Sequence, residues 1–451
     1  MLELFSSGLI SLWLNTGGFT RPAQADNTAV AGISAWQDTP WSVQSGEPNA
    51  ATQTTLQQYL ATLNRKGLPE STQGIWLQTG SQFLASNQGT TPLPAASLTK
   101  VATSLAALQT WEPEHQFETL ISATGPIENG VLQGDLVVQG SGDPLLVWEE
   151  AIALGNALNQ LGLTKVTGNL VLTGNFAMNF ETKPQTAGAL FKQALNAKDW
   201  SDEVVAQYQQ LPPGTPRPQI AIAGTVQVIT YGTDFLPKQL LLVRHRSLPL
   251  TDILKLMNIY SNNVIADSLA YSMGGATLVA QQAAIASGIP LNEIRLKNGS
   301  GLGTENKISP RAVCAMFVAI QRYLQFRSLT IADLFPIAGI DQGTIDYRSL
   351  PQAAVVKTGT LNDVSALAGV VPTRDRGLVW FTIINRGTDL DDLRQQQDKL
   401  LQTLVDRWGA VATRPIALSS THTEAVAKRL GATDRNEIIR SVVPLTIDSR
   451  R

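Results

Sequence analysis

Between about residues 113 and 249 the chain changes character, and that change limits the folds open to it. Before it, Leu98, Val101, Leu105 and Leu108 recur at three- and four-residue spacing, the stripe of a helix with one buried face. Within it, short apolar runs at 134–139, 168–173, 219–222, 226–231 and 240–243 follow one another, most of them set apart by turn residues. After it, helical spacing returns at 251–260 and 263–272, with a break at Ser261. A strand–turn–strand pattern then runs through 353–360, 364–371, a turn at 373–377, and 378–384. One periodicity cannot describe such a chain. It reads as an α+β protein whose main domain, 51–112 and 250–410, is interrupted by a β-rich inserted domain, 113–249.

The flanks of the main domain fit this reading. Leu56, Leu60 and Leu63 mark a helix over 52–63, and Thr79-Gly80-Ser81 marks a hairpin turn within 74–86. Leu393, Leu400, Leu401, Leu404 and Trp408 lie on one face of an amphipathic helix over 391–408, with Gly409 as its stop. Residues 411–451 read as a weakly structured tail with one short helix near 424–430. Residues 26–50, rich in small and polar residues, read as a linker. The stretch 8–14 is apolar and Ala23-Gln24-Ala25 resembles a cleavage site, so 1–25 reads as a signal peptide or anchor, although Glu3 and the lack of Lys or Arg are atypical of one.

Composition removes several classes of function. The 451 residues are 43% hydrophobic and 16% charged, as in a folded globular protein. A net charge of −2 with no long basic run argues against a nucleic-acid partner. The single cysteine, Cys314, excludes an internal disulfide and cysteine-rich zinc sites, and its apolar neighbours Val313, Met316 and Phe317 suggest a buried structural thiol. His115, His245 and His422 are scattered and form no metal-ligand pair, so neither metal nor cofactor is expected. No later apolar run is long enough to span a membrane.

The chemistry is carried by three short motifs. Ser97-Leu98-Thr99-Lys100 sets a serine and a lysine one helical turn apart, where their side chains can meet. A serine hydroxyl is a weak nucleophile until a base takes its proton, and a lysine amine can do so once its pKa is lowered. The second motif, Ser261-Asn262-Asn263, sits at the break between two helices, and the third, Lys357-Thr358-Gly359, inside a strand pattern.

In this order, S-x-x-K, S-x-N and K-T-G resemble the three-part site of the serine penicillin-recognising enzymes. The run K-T-G-T-L-N-D-V-S-A-L-A-G at 357–369 is most similar to the D-alanyl-D-alanine carboxypeptidase/endopeptidase family (peptidase family S13, the low-molecular-mass class C penicillin-binding proteins). So are G-S-G-D-P at 140–144, N-G-S-G-L at 298–302 and P-I-A-G-I at 336–340. The similarity covers roughly 50–410. A long insert between S-x-x-K and S-x-N is itself a mark of that family, here shorter than in its largest members. Asn298 stands where the family more often has aspartate, and Asn262 where it usually has the Asp of S-D-N.

The resemblance implies a β-lactamase/transpeptidase-like fold, with an antiparallel sheet flanked by helices, and an exported, periplasmic or cell-envelope enzyme for which peripheral membrane association is one expectation. Ser97 would attack the bond between two D-alanines of a peptidoglycan peptide, with Lys100 as base. Ser261 would bridge Lys100 and the leaving nitrogen, and Asn263 would hold Lys100 and the substrate. The N–H groups of Ser97 and Thr360 would form the oxyanion hole. Lys357 with Thr358 and Thr360 would bind the terminal carboxylate, and Gly359 would keep the strand edge clear for substrate. β-Lactams would trap Ser97. A β-lactamase or esterase of the same fold, and a non-catalytic peptidoglycan-binding or β-lactam-sensing module, are the competing readings.

Overall fold

The computed structural model describes residues 47–229, 239–421 and 426–439, and these form two compact units. One holds 47–111 and 254–421; the other holds 112–253 and 426–439. The readings made for 1–25, for most of 26–50 and for His422 lie outside the described residues.

The first unit is built on a five-stranded antiparallel sheet. Its order is Val355–Leu361, Val364–Thr373, Gly377–Arg386, Gly74–Thr79 and Gln82–Asn87. The alternation of side chains gives each strand two faces. Ile75, Leu77, Phe381 and Ile383 join Leu56, Leu60 and Leu63 of the helix Ala50–Arg65 and Leu393, Leu401 and Leu404 of the helix Leu390–Trp408 in one apolar core. The opposite face meets the helix Pro310–Gln325, where Cys314 is fully buried with Sγ 3.3 Å from Thr382 Oγ1. Burial pushes that thiol up to about 12, so it is an inert packing group, as its neighbours in sequence suggest.

The strand Val355–Leu361 is the edge of this sheet. Residues 336–338 cover only its start, through Val356 N–H to Pro336 O and Ala338 N–H to Ala354 O. Among the described residues no strand pairs with the outer edge of Lys357–Leu361.

The second unit is more than β-rich. Its six-stranded sheet runs Val226–Ile229, Leu170–Asn175, Leu136–Ser141, Glu118–Ala123, Leu240–Arg246 and Asn436–Ile438. The first three are parallel, and parallel neighbours need crossovers. The helices Trp148–Gln160, Pro184–Ala194 and Asp202–Tyr208 supply them. Trp148, Ile152, Leu154 and Phe191 from these helices fill one core with Leu136, Val138, Leu170 and Leu172 of the sheet.

Part of the segment read as a tail also belongs here. Asn436–Ile438 pairs antiparallel with Leu240–Arg246, Arg435 forms a buried ion pair with Glu150, and Asn436 Oδ1 lies 2.7 Å from His245 Nδ1. A strand of three residues leaves almost no periodic signal, so only the sheet that receives it reveals it. Among the described residues no helix is long and apolar enough to cross a membrane.

Candidate active site

All three motifs converge in the first unit. Ser97 lies in the 3-10 turn Ala96–Leu98 that leads into the helix Thr99–Thr110. Ala96, just before it, has φ +47°, a left-handed conformation that a non-glycine residue adopts only when its surroundings impose it. The apolar stripe of Leu98, Val101 and Leu105 is fully buried and fixes this helix. Ser97 stays half-buried and reachable, whereas Lys100, one turn on, is 0% exposed.

Ser261 occupies the break between the helices Leu250–Ile259 and Asn263–Ser272, with φ +54°. The cap of the second helix is Asn262, whose Oδ1 accepts from Ile265 N–H at 3.0 Å. That frees Ser261 and Asn263 for other partners. Capping explains an asparagine at the middle position of this motif, since asparagine caps as well as aspartate does.

The amine of Lys100 is the hub of the site. Its Nζ lies 3.0 Å from Ser97 Oγ, 2.8 Å from Asn263 Oδ1 and 2.8 Å from the Ser300 carbonyl oxygen. Asn263 Oδ1 and the carbonyl can only accept, while the serine hydroxyl can also donate. A neutral amine has two N–H donors and one lone pair. Two donors to the fixed acceptors leave the lone pair for the Ser97 O–H.

Burial supports that state. Desolvation, opposed by the charge of Asp267, brings Lys100 down to about 7 from the ordinary lysine value. At neutral pH a large fraction of the amine is then unprotonated, against about one part in a few thousand for a solvated lysine.

The Ser300 carbonyl reaches Lys100 because the loop 298–302 is packed tightly into the unit. A Cβ on Gly299 would collide with the Ala266 carbonyl, and one on Gly301, at φ +85°, with the Ala96 carbonyl. Asn298 ties the loop to itself, accepting from Gly301 N–H at 2.8 Å and donating from Nδ2 to Leu302 O at 2.7 Å. An aspartate could not make the second bond, which gives the asparagine its own structural use. Thr103 Oγ1 adds a bond to Gly299 O at 2.7 Å.

Lys357 is also 0% exposed, and no carboxylate of the described residues is in ion-pair contact with it. Its Nζ donates to Ser261 Oγ at 3.0 Å and Thr358 O at 2.9 Å. Burial first, and Lys100 second, hold its pKa well below the ordinary value. Gly359 explains the close approach of this strand to the nucleophile: a Cβ there would lie 3.0 Å from Ala95 O and 3.1 Å from Ser97 N. The glycine therefore lets the strand close on the Ser97 turn, a reason distinct from keeping the outer edge clear.

The structure thus brings Ser97, Lys100, Asn263, Ser261 and Lys357 together, with some partners changed. Ser261 bonds to Lys357, not to Lys100, whose three positions are filled. The Thr358 hydroxyl donates to Thr344 Oγ1 at 2.8 Å, and Thr360 Oγ1, on an exposed residue, accepts from Arg394 at 3.3 Å. Neither Thr344 nor Arg394 is signalled by the motifs. Ser300 lies in the N-G-S-G-L run at 298–302, singled out by the resemblance without a role, and Asp267 is new. Asp267 could have been found, because Asn263 and Asp267 share a helix face at i, i+4.

Comparison with known proteins follows the same lines. A family model described as the D-Ala-D-Ala carboxypeptidase 3 (S13) family matches residues 54–185 and 219–406, which include every residue of the site. The D-alanyl-D-alanine carboxypeptidase DacB of Haemophilus influenzae is 27% identical over 412 residues, covering 70% of this chain and 85% of that protein. Two solved structures share the fold. Penicillin G-acylated Bd3459 predatory endopeptidase from Bdellovibrio bacteriovorus superposes with TM-score 0.63 at 22% identity, covering 76% of this chain and 94% of the other. Penicillin-binding protein 4 (dacB) from Haemophilus influenzae, in complex with a β-lactam, gives TM-score 0.57 at 22% identity, covering 77% and 99%.

Proposed function

Because the chain belongs to the D-Ala-D-Ala carboxypeptidase 3 (S13) family, we propose that it is a serine D-Ala-D-Ala carboxypeptidase, endopeptidase or both, cutting peptidoglycan stem peptides through an acyl-enzyme on Ser97. The observation that carries this reading is the Ser97–Lys100 pair, in which a reachable hydroxyl meets a fully buried amine held for proton acceptance.

The substrate lies as an added strand along the open edge of Val355–Leu361. Its terminal carboxylate supplies Lys357 with the counter-charge it otherwise lacks. Ser97 Oγ forms the new bond to the carbonyl carbon as its proton passes to Lys100 Nζ. The oxyanion is met by the N–H groups of Ser97 and Thr360, on two segments that Gly359 allows to approach each other. Collapse breaks the C–N bond. The proton that Lys100 took from Ser97 passes to the departing amine, while Ser261 stays hydrogen-bonded to Lys357. Asn263 holds the amine through both steps. Water then repeats the sequence in reverse and frees Ser97.

β-Lactams enter the same site and stall after acylation. The substrate places the enzyme outside the cytoplasmic membrane, in the cell envelope.

The test is digestion of purified muropeptides, both pentapeptide monomers and cross-linked dimers, resolved by mass. The protein is expected to remove a terminal D-alanine or to split dimers, and Ser97→Ala to do neither. Both substrates left intact by the wild-type protein would reject the reading.

A further inference from the structure

Asn263 and Asp267 lie one turn apart on the helix Asn263–Ser272, and both reach the Lys100 environment by different routes. Asn263 bonds to the amine directly. Asp267 Oδ1 instead accepts from the Ser300 backbone N–H at 2.8 Å, and the carbonyl of that same residue accepts from Lys100 Nζ at 2.8 Å. We propose that Asp267 is a positioning residue for the Ser97–Lys100 pair: its carboxylate pins Ser300, and through the Ser300 carbonyl it holds the amine against the serine hydroxyl.

The position is suited to this. Ser300 is fully buried, and the loop carrying it has no slack, because Gly299 and Gly301 already pack against the Ala266 and Ala96 carbonyls. A fixed amide on one side of Ser300 therefore fixes the carbonyl on the other. The carboxylate is also the negative charge facing Lys100, and it favours the ammonium form while burial disfavours it. Lys100 in turn favours the ionised Asp267 against that side chain's own burial.

The other elements packed on the helix Thr99–Thr110 offer little competing charge. The helix Ala276–Ser287 carries no charged residue, and of the two on the helix Pro310–Gln325 Arg311 is paired with Glu293 and Arg322 lies in the last turn, eleven residues further on. From the strand Val355–Leu361 the titratable group is Lys357, whose own pKa is held well below the ordinary value by burial first and by Lys100 second. Asp267 is thus both a tether for Ser300 and the charge that sets the pH at which Lys100 gives up its proton.

The inference rests on Lys100 acting as base, and two variants separate its parts. Asp267→Asn keeps an oxygen for the Ser300 N–H but removes the charge. Asp267→Glu keeps the charge, but its longer side chain displaces the amide. Acylation by a fluorescent penicillin is followed by stopped flow from about pH 5 to pH 9, with folding checked by thermal melting.

For Asp267→Asn the acidic limb of the rate profile is expected to move down by about half to one pH unit, because the ammonium loses its counter-charge. For Asp267→Glu the limb is expected to stay while the plateau falls at least about fivefold, the effect of a misplaced positioning group. An Asn limb coincident with the wild-type limb, or a Glu plateau equal to the wild-type plateau, would overturn the proposal. A wild-type protein that is not acylated at any pH would instead reject the proposed function.

Discussion

Lys100→Met is expected to slow acylation of Ser97 by about a thousandfold, with little loss of stability. Methionine nearly matches the length of lysine and suits a fully buried position, so the packing of the helix Thr99–Thr110 survives. What disappears is the lone pair facing the Ser97 hydroxyl. Asn263 Oδ1 and the Ser300 carbonyl also lose their donor, an unfavourable change offset by removing a buried amine that is costly to protonate. The wild-type rate should rise with pH through about 7, where Lys100 gives up its proton, because only the neutral amine can accept another. In the Met variant the residual rate should lack that limb. Stopped-flow acylation with a chromogenic β-lactam reads both effects. A Met variant that retains the limb would show that another group is the base.

Gly301→Ala is expected to destabilise the protein by about 3 kcal/mol or more and to impair acylation in the fraction that folds. Two costs combine at this position. A φ of +85° disfavours any side chain, and the added methyl would enter the Ala96 carbonyl. Gly67→Ala is the control, since it has φ +80° and nothing within 4 Å of the new Cβ. That substitution carries only the backbone term, about 1 kcal/mol. The gap between the two variants in thermal or urea denaturation measures the collision. The consequence for activity is local: a displaced loop withdraws the Ser300 carbonyl from Lys100 and presses on the residue that precedes the nucleophile. Equal stability of the two variants would contradict the close packing of this loop.

The parts of the site that were legible in the sequence are those encoded by short spacing. Ser97 and Lys100 meet because one helical turn separates them, and the break at Ser261 shows as an interruption between two helical stripes. The edge strand carrying Lys357 shows as the first arm of the strand–turn–strand pattern over 353–384. Partners made by backbone atoms or by distant chain were not legible. The Ser300 carbonyl is a main-chain group 200 positions from Lys100, so no side-chain pattern announces it. Ser261 bonds to Lys357 because Lys100 is already satisfied by Ser97, Asn263 and Ser300, a competition that appears only when all six residues are placed. Gly359 was recognisable as necessary, but its reason, the nearness of Ala95 and Ser97, belongs to tertiary structure.

The same limit applies to the fold. The helices Ala50–Arg65 and Leu390–Trp408 and the hairpins of the first unit follow from their own periodicities. The helices of the second unit are not legible in a segment dominated by short strands. Trp148–Gln160 carries Glu149, Glu150 and Asn156, all buried, so these polar residues do not mark a solvent face. The strand Asn436–Ile438 lies almost 200 positions from the strand it pairs with, and local sequence cannot specify such a pairing.

The central claim, that Ser97 is a nucleophile activated by Lys100, is tested most directly by intact-protein and peptide mass spectrometry after exposure to a penicillin. The account predicts one covalent adduct per chain on the peptide containing Ser97, formed faster as the pH rises through about 7, and no adduct on Ser97→Ala. An adduct on another residue, or equal labelling of the wild-type protein and Ser97→Ala, would contradict it.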